Sequence, residues 1–207
     1  MKLKWLGHSC FELTLSNGCV LVTDPFDPSV GYPMPNVRAD AVLSSHGHYD
    51  HNYVEAVTGD PAVFNTPGVH EIRGAKVTGV MSCHDDAGGT KRGQNLIHLI
   101  ETDGLRIAHL GDLGHLPDTD AQRAALSDLD VMLVPIGGFY TIDTPTAVKI
   151  IETFKPRCAV AMHFANDYCH FPVSDEQEFV RLTGATRVPN EIEITTTTPV
   201  GCVVMAI

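Results

Sequence analysis

Apolar positions along the chain follow two rhythms. Runs of four to eight residues in which apolar side chains alternate with polar ones, or crowd together, read as half-buried or buried strands. They include KLKWL near the start, CFELTL, CVLVTD ending at Asp24, AKVTGVMSCHD, NLIHLIET, LRIAHLGD, DVMLVPIGG, RCAVAMHF and the final CVVMAI. AVLSSHGHYDH opens as a buried strand and runs out into a loop. Asn17-Gly18 and Asp103-Gly104 are tight hairpin signals. Helical spacing is rarer. TPTAVKIIETF carries apolar residues at 147, 148, 150, 151 and 154 with Pro145 near its start. TDAQRAAL shows a Thr119/Gln122 capping box, SDEQEFVRL a Ser174/Gln177 box, and a short helix is expected from about Asp50 through NYVEAV. Two strand-rich halves, each with helices, predict two sheets packed together with helices outside. With no linker to divide it, the chain reads as a single domain over 1–207.

Composition narrows the class. At 207 residues, 43% hydrophobic and 19% charged, the chain can bury a full core. Its 14 Lys+Arg against 25 Asp+Glu give a formal charge of −11, which repels nucleic acid and anionic membrane at long range. The expected partner is a small-molecule substrate, with neither nucleic acid nor membrane; a homo-oligomer is compatible with the sequence. Six cysteines without a CxxC pair read as reduced thiols in a cytoplasmic protein. The opening MKLKWLGHSCFEL fails as a signal peptide because His8, Ser9 and Glu12 break its apolar run, and no segment approaches the roughly 18 apolar residues of a membrane span.

The chemistry concentrates in SSHGHYDHN, where His46, His48, Asp50 and His51 fall within six positions. In extended chain, residues i and i+2 point the same way, so His46 and His48 can grip one cation. The turn that follows redirects Asp50 and His51 towards a neighbouring point. Two metals need more ligands than one loop supplies, and His84, Asp112 and His163 each stand where a later apolar run ends. Taken singly they read better as a turn aspartate and hydrogen-bonded core histidines; together they complete a pattern that reverses that reading. His8 and His115, each beside glycine, are candidates for the proton donor to a leaving group, or else structural imidazoles. His70, His98, His109 and His170 read as structural. Lys91 and Arg92, in the glycine-rich GGTKRGQN loop, suit a substrate phosphate or carboxylate, or simply solvent. Tyr140 in GGFYT either lines a pocket or caps a glycine turn.

HGHYDH with CHD, LGD and MHF downstream, and an aspartate closing an early strand in LVTDP, resembles the metallo-β-lactamase superfamily of metal-dependent hydrolases. WLGHSCFEL, GGTKRGQN, GDLGH and PIGGFYTID are similar to its simple single-domain branch, related to ascorbate-6-phosphate lactonase. The resemblance implies an α+β fold, a four-layer αββα sandwich with the site at one edge of the sheets. It implies that His46, His48 and His84 bind one metal, Asp50, His51 and His163 a second, and that Asp112 bridges them. Asp24 is implied as a carboxylate behind the ligands that orients them, although an aspartate turning the chain before Pro25 fits equally.

Asp50 and Asp112 would thus be catalytic through two divalent ions, zinc by ligand chemistry, with manganese or iron as alternatives. A hydroxide shared by such ions, formed near neutral pH, would attack a small-molecule ester, lactone or phosphoester. The rival readings are a nuclease or phosphodiesterase of the same superfamily and a non-catalytic metal-bearing binding protein.

Overall fold

A computed structural model describes residues 1–198 and 201–207. The apolar runs form two sheets. The first has six strands in the order Glu191–Glu193, Lys2–Gly7, Cys10–Thr14, Val20–Thr23, Ala41–Leu43 and Ala62–Phe64. The second has eight, in the order Thr186–Pro189, Gly201–Ala206, Cys158–Met162, Val131–Pro135, Leu105–His109, Gln94–Thr102, Ala75–Cys83 and Gly68–Ile72. Their apolar faces meet in one cluster that joins Leu13, Leu21 and Leu43 of the first sheet to Ile97, Ile107 and Val134 of the second.

The predicted α+β sandwich is the fold found, with helices outside. Helices Asp120–Ala125 and Thr144–Phe154 pack on the eight-stranded sheet, and Gln177–Thr183 packs on Thr144–Phe154. Connections leaving the six-stranded sheet carry no α-helix among the described residues, only the 3-10 turns Pro28–Val30 and Val54–Ala56 and a small parallel pair of strands, Val37–Arg38 and Val57–Thr58. Among the described residues, no helix is long and apolar enough to cross a membrane.

Two local expectations are corrected. The helix expected from Asp50 is a turn, in which the His51 amide donates to the His48 carbonyl, followed by the 3-10 turn Val54–Ala56. The Tyr53 amide is committed to the Pro25 carbonyl, so the backbone cannot wind continuously through NYVEAV. The Ser174/Gln177 box does not form. Ser174 pairs in extended chain with Gly137 and Ala165, which delays the helix to Gln177, and Asp175 captures the Gln177 amide at 3.0 Å instead. The Thr119/Gln122 box does form, reciprocally, at the start of Asp120–Ala125.

Strand direction sets where chemistry can gather. In the first sheet Lys2–Gly7 and Val20–Thr23 are both antiparallel to Cys10–Thr14, and Val20–Thr23 is parallel to Ala41–Leu43. Three strands therefore end at one edge, delivering His8, Asp24 and the Ser44–His51 segment. In the second sheet Ala75–Cys83 and Leu105–His109 are both antiparallel to Gln94–Thr102, while Leu105–His109, Val131–Pro135 and Cys158–Met162 run parallel. Their ends deliver His84, Asp112 and His163. The His163 amide donates to the His8 carbonyl at 3.3 Å, joining the two sheets where these ends meet.

Candidate metal centre

The strand ends bring seven of the eight predicted metal and orienting residues, His46, Asp50, His51, His84, Asp112, His163 and Asp24, into one largely buried cluster. His48 stands at its exposed rim. Two groups of ligand atoms converge within it: His46, His48 and His84 form one, and His8, Asp50, His51 and His163 the other. Asp112 lies between them. Its Oδ2 is 3.1 Å from His84 Nε2 and 3.3 Å from His163 Nε2, and its Oδ1 is 3.2 Å from His51 Nε2. Despite these distances, His51 Nε2, His163 Nε2 and Asp112 Oδ1 make no hydrogen bond. Buried polar atoms without partners are costly unless something else satisfies them, and a cation at their common centre would do so. The donors are imidazole and carboxylate without thiolate, which fits zinc and equally manganese or iron.

Asp24 sits behind the ligands, fully buried. Its Oδ1 accepts from the Ser45 amide at 2.7 Å, and its Oδ2 accepts from Ser45 Oγ at 2.7 Å and from His51 Nδ1 at 2.8 Å. With Nδ1 directed to Asp24, the nitrogen His51 offers a metal is Nε2, which faces Asp50 and Asp112. Ser45 Oγ, having donated to Asp24, accepts from His46 Nδ1 at 2.9 Å, which leaves His46 Nε2 as the lone-pair nitrogen, facing His48 Nδ1 at 3.0 Å. One carboxylate thus selects the ligand tautomer of two histidines. Burial alone would raise the Asp24 pKa, but the neighbouring His109 and His51 rings outweigh it and hold it down to about 2.

The remaining charges balance in the same manner. Burial opposes ionisation of Asp112, yet His163 and His51 beside it hold its carboxyl well below the usual range; His51 and His8 do the same for Asp50. Burial would lower His51, but Asp112, Asp50 and Asp24 raise it well above its ordinary value, and Asp112 raises His84. Burial pulls His46 down to about 3, assisted by His51, and His8 down to about 4, assisted by His163. Cations are what this carboxylate cluster demands, as protons on imidazole or as metal ions.

A cavity of about 350 Å³ opens over the cluster, bounded by His48, Tyr49, Asp50, His84, Lys91, Arg92, Asp112, Tyr140 and Phe171. Arg92 lies 5.6 Å from the centre of the Tyr140 ring, a cation–π contact, and among the described residues no carboxylate pairs with it. Lys91 is instead tied to Asp86 at the surface, 2.7 Å away. The loop that carries them is organised by Asp85, which the sequence reading passed over. Its carboxylate accepts the amides of Ala87, Gly89, Lys91 and Arg92 at 2.8 to 2.9 Å, and these bonds overcome burial to bring its pKa to about 2. Asp85→Ala is therefore expected to loosen residues 86–93 and to raise KM with little change in kcat. Limited proteolysis of that loop and substrate kinetics check it.

His115 does not join the cluster. Its Nε2 accepts from the Cys83 amide at 3.1 Å and its Nδ1 donates to the Leu116 carbonyl at 2.8 Å, so main chain occupies both ring nitrogens. It borders a hollow of about 370 Å³ that contains none of the clustered ligands and also a cavity of about 580 Å³ that it shares with His84, Arg92 and Tyr140. His8, paired with it as a candidate proton donor, is in contrast fully buried with its Nε2 3.4 Å from Asp50 Oδ2.

Three further residues escaped the sequence reading. Ser45 relays Asp24 to His46. His109, expected to be structural, donates from Nε2 to the Ser9 carbonyl at 2.8 Å and comes within 4.0 Å of Asp24. Asn95 Oδ1 accepts the Asp112 amide at 2.9 Å while its Nδ2 donates to Ser82 Oγ and the Leu110 carbonyl. Gly111 permits that clamp: its φ is +54°, and a Cβ there would lie 2.3 Å from Asn95 Oδ1. The signal available for Asn95 was a polar residue inside the apolar run NLIHLIET.

Two sheets whose strand ends converge on imidazoles and carboxylates, with ligand atoms to spare, have the build of the αββα metallo-hydrolases. The chain belongs to the metallo-β-lactamase superfamily: the family described as "Beta-lactamase superfamily domain" matches residues 2–163. It is a metal-dependent hydrolase of that superfamily. A UPF0173 metal-dependent hydrolase from Thermococcus onnurineus is 30% identical, covering 89% of this chain and 92% of the relative. Another from Archaeoglobus fulgidus is 30% identical over 94% of this chain and 95% of its own. A crystal structure from Thermotoga maritima, assigned to the Zn-dependent hydrolases of the superfamily, is 34% identical. It has a TM-score of 0.81 and covers 99% of this chain and 98% of that one.

Proposed function

We propose that the protein is a dinuclear metal-dependent hydrolase acting on a small anionic ester, lactone or phosphoester. The observation that carries this reading is the position of Asp112, whose two carboxylate oxygens lie 3.1 to 3.3 Å from ring nitrogens of both ligand groups. His46, His48 and His84 would hold one ion, Asp50, His51 and His163 the other, and Asp112 would touch both. When bound, such ions supply hydroxide at neutral pH and stabilise negative charge developing on the substrate. The chain's own part is positional. Asp24 fixes the His51 and His46 tautomers, Asn95 fixes Asp112, and the Asp85-organised loop sets Arg92 over the cavity.

Arg92, lacking a carboxylate partner, and the rings of Tyr140, Tyr49 and Phe171 suit a substrate with an anionic group and an apolar portion. Zinc fits the donor set and is favoured by the description of the Thermotoga relative. The six free cysteines support a cytoplasmic location.

The test is turnover of a panel of lactones, phosphomonoesters, phosphodiesters, RNA and single-stranded DNA by metal-loaded protein. Hydrolysis of small esters is expected; turnover of RNA alone would overturn the substrate class in favour of a nuclease. Arg92→Ala should raise KM about 10- to 100-fold for anionic substrates and much less for neutral esters, the span of one charge-assisted hydrogen bond. Equal losses on both would remove Arg92 from substrate recognition.

A further inference from the structure

We propose that His8 is a protein ligand of the buried cation, so that the two metal positions of the proposed centre are built unequally. The inference rests on the two-metal reading above and adds to it a residue and a difference between the positions. His8 ends the Lys2–Gly7 strand in the left-handed region, at φ +52°, and its side chain is completely buried. Its carbonyl is tied down by Trp5 Nε1 at 3.0 Å and by the His163 amide at 3.3 Å. The ring is therefore held in place, 4.2 Å centre to centre from His163 and 5.0 Å from His51, yet neither of its nitrogens has a hydrogen-bond partner.

The ring nitrogen faces ligands. His8 Nε2 is 3.4 Å from Asp50 Oδ2, which is 3.7 Å from His51 Nε2, and one ligand atom from each of His8, Asp50, His51 and His163 falls within 4.8 Å of the others. Atoms about 2.0 to 2.2 Å from a tetrahedral ion stand about 3.3 to 3.6 Å apart, a range that contains the His8–Asp50 separation of 3.4 Å and falls just short of the His51–Asp50 separation of 3.7 Å. The two roles open to a buried histidine fit less well. As proton donor to a leaving group it would have to reach the cavity over the cluster, whose boundary it does not form. As a support for Asp50 it would make a well-formed hydrogen bond, whereas its Nε2 stands 3.4 Å from Asp50 Oδ2, close enough for charge to be felt but outside hydrogen-bond geometry.

With His8 included, the buried position has three imidazoles and one carboxylate before Asp112 is counted, which fills a tetrahedral shell. The outer position has three imidazoles, among them the exposed His48, and keeps room for solvent or substrate. The buried ion should thus exchange slowly and the outer one readily.

The experiment measures metal content of purified full-length protein by elemental analysis across a chelator titration, for wild type, His8→Gln and His8→Gly. Glutamine preserves bulk and hydrogen bonding without being an imidazole, and glycine accepts the positive φ. Wild type should hold two ions, one resisting chelator. In both variants that resistance should fall about 10- to 100-fold, while the melting temperature of metal-free protein stays close to that of metal-free wild type. The visible spectrum of the cobalt-substituted protein should change for the retained ion alone. Variants that keep both ions with wild-type chelator resistance would overturn the assignment. A wild type holding one ion that His8→Gln loses would leave His8 as ligand and remove the two-metal reading; one ion kept equally by both would remove the two together.

Discussion

Asp112→Ala should empty the metal centre and lower hydrolysis by at least about 1,000-fold, the scale of several kcal/mol of transition-state stabilisation supplied by metal. Asp112 is the carboxylate that meets ligands of both groups, so its loss removes the shared anionic anchor. It also leaves His51 and His84 without the carboxylate that raises them. Asparagine at 112 is the sharper variant, because it keeps volume and the Asn95 clamp on the backbone while removing charge. Elemental analysis and turnover, measured on the same preparations, check the expectation. Two ions retained in an inactive Asp112→Asn protein would make the residue a proton carrier rather than a ligand.

Asp24→Asn should weaken metal binding by about 10- to 100-fold although Asp24 touches neither group of ligands as a ligand itself. Two rings depend on it. His51 donates from Nδ1 to Asp24 Oδ2, and Ser45 Oγ donates to that same oxygen while accepting from His46 Nδ1. An amide nitrogen turned to that position would oppose the Nδ1 proton of His51 and invite the tautomer that closes Nε2 to metal. If the amide oxygen faces His51 instead, Ser45 must give up one of its two contacts with residue 24. Loss of a buried, charge-assisted hydrogen bond should also cost the metal-free protein about 1.5 to 3 kcal/mol. Chelator competition measures the first effect and urea unfolding of metal-free protein the second. Unchanged metal affinity with lowered stability would reduce Asp24 to a packing role before Pro25.

Much of the centre was legible because its signals are local. In HGHYDH four ligands fall within six residues, and no distant pairing is needed to bring them near. His84, Asp112 and His163 were visible as polar residues closing apolar runs, since a buried strand must be apolar until it leaves the sheet. The hairpins at Asn17-Gly18 and Asp103-Gly104 and the capping box at Thr119 are likewise contacts within a few residues.

What escaped was set by pairing across the chain. The Ser174 box failed because Ser174 is held by Gly137 and Ala165, contacts a window of sequence does not contain. His8 and His115 were indistinguishable as glycine-flanked histidines; one is enclosed among ligands and the other is bound by main chain outside them. Asp85, Asn95 and Ser45 act through hydrogen bonds whose partners become neighbours only when loops close or sheets stack.

The sequence by itself determined the central strands of both sheets, most of the donor set and the metal chemistry those donors favour, because periodicity and ligand type are properties of neighbouring side chains; the edge strands Ala62–Phe64, Gly68–Ile72, Thr186–Pro189 and Glu191–Glu193 it did not mark. The tertiary structure decided which donors share a centre, which histidine tautomers they adopt, and that His8 stands with them. Those outcomes follow from which strands run parallel: strands of common direction end at a common edge, and direction is fixed by long-range pairing rather than by any local pattern.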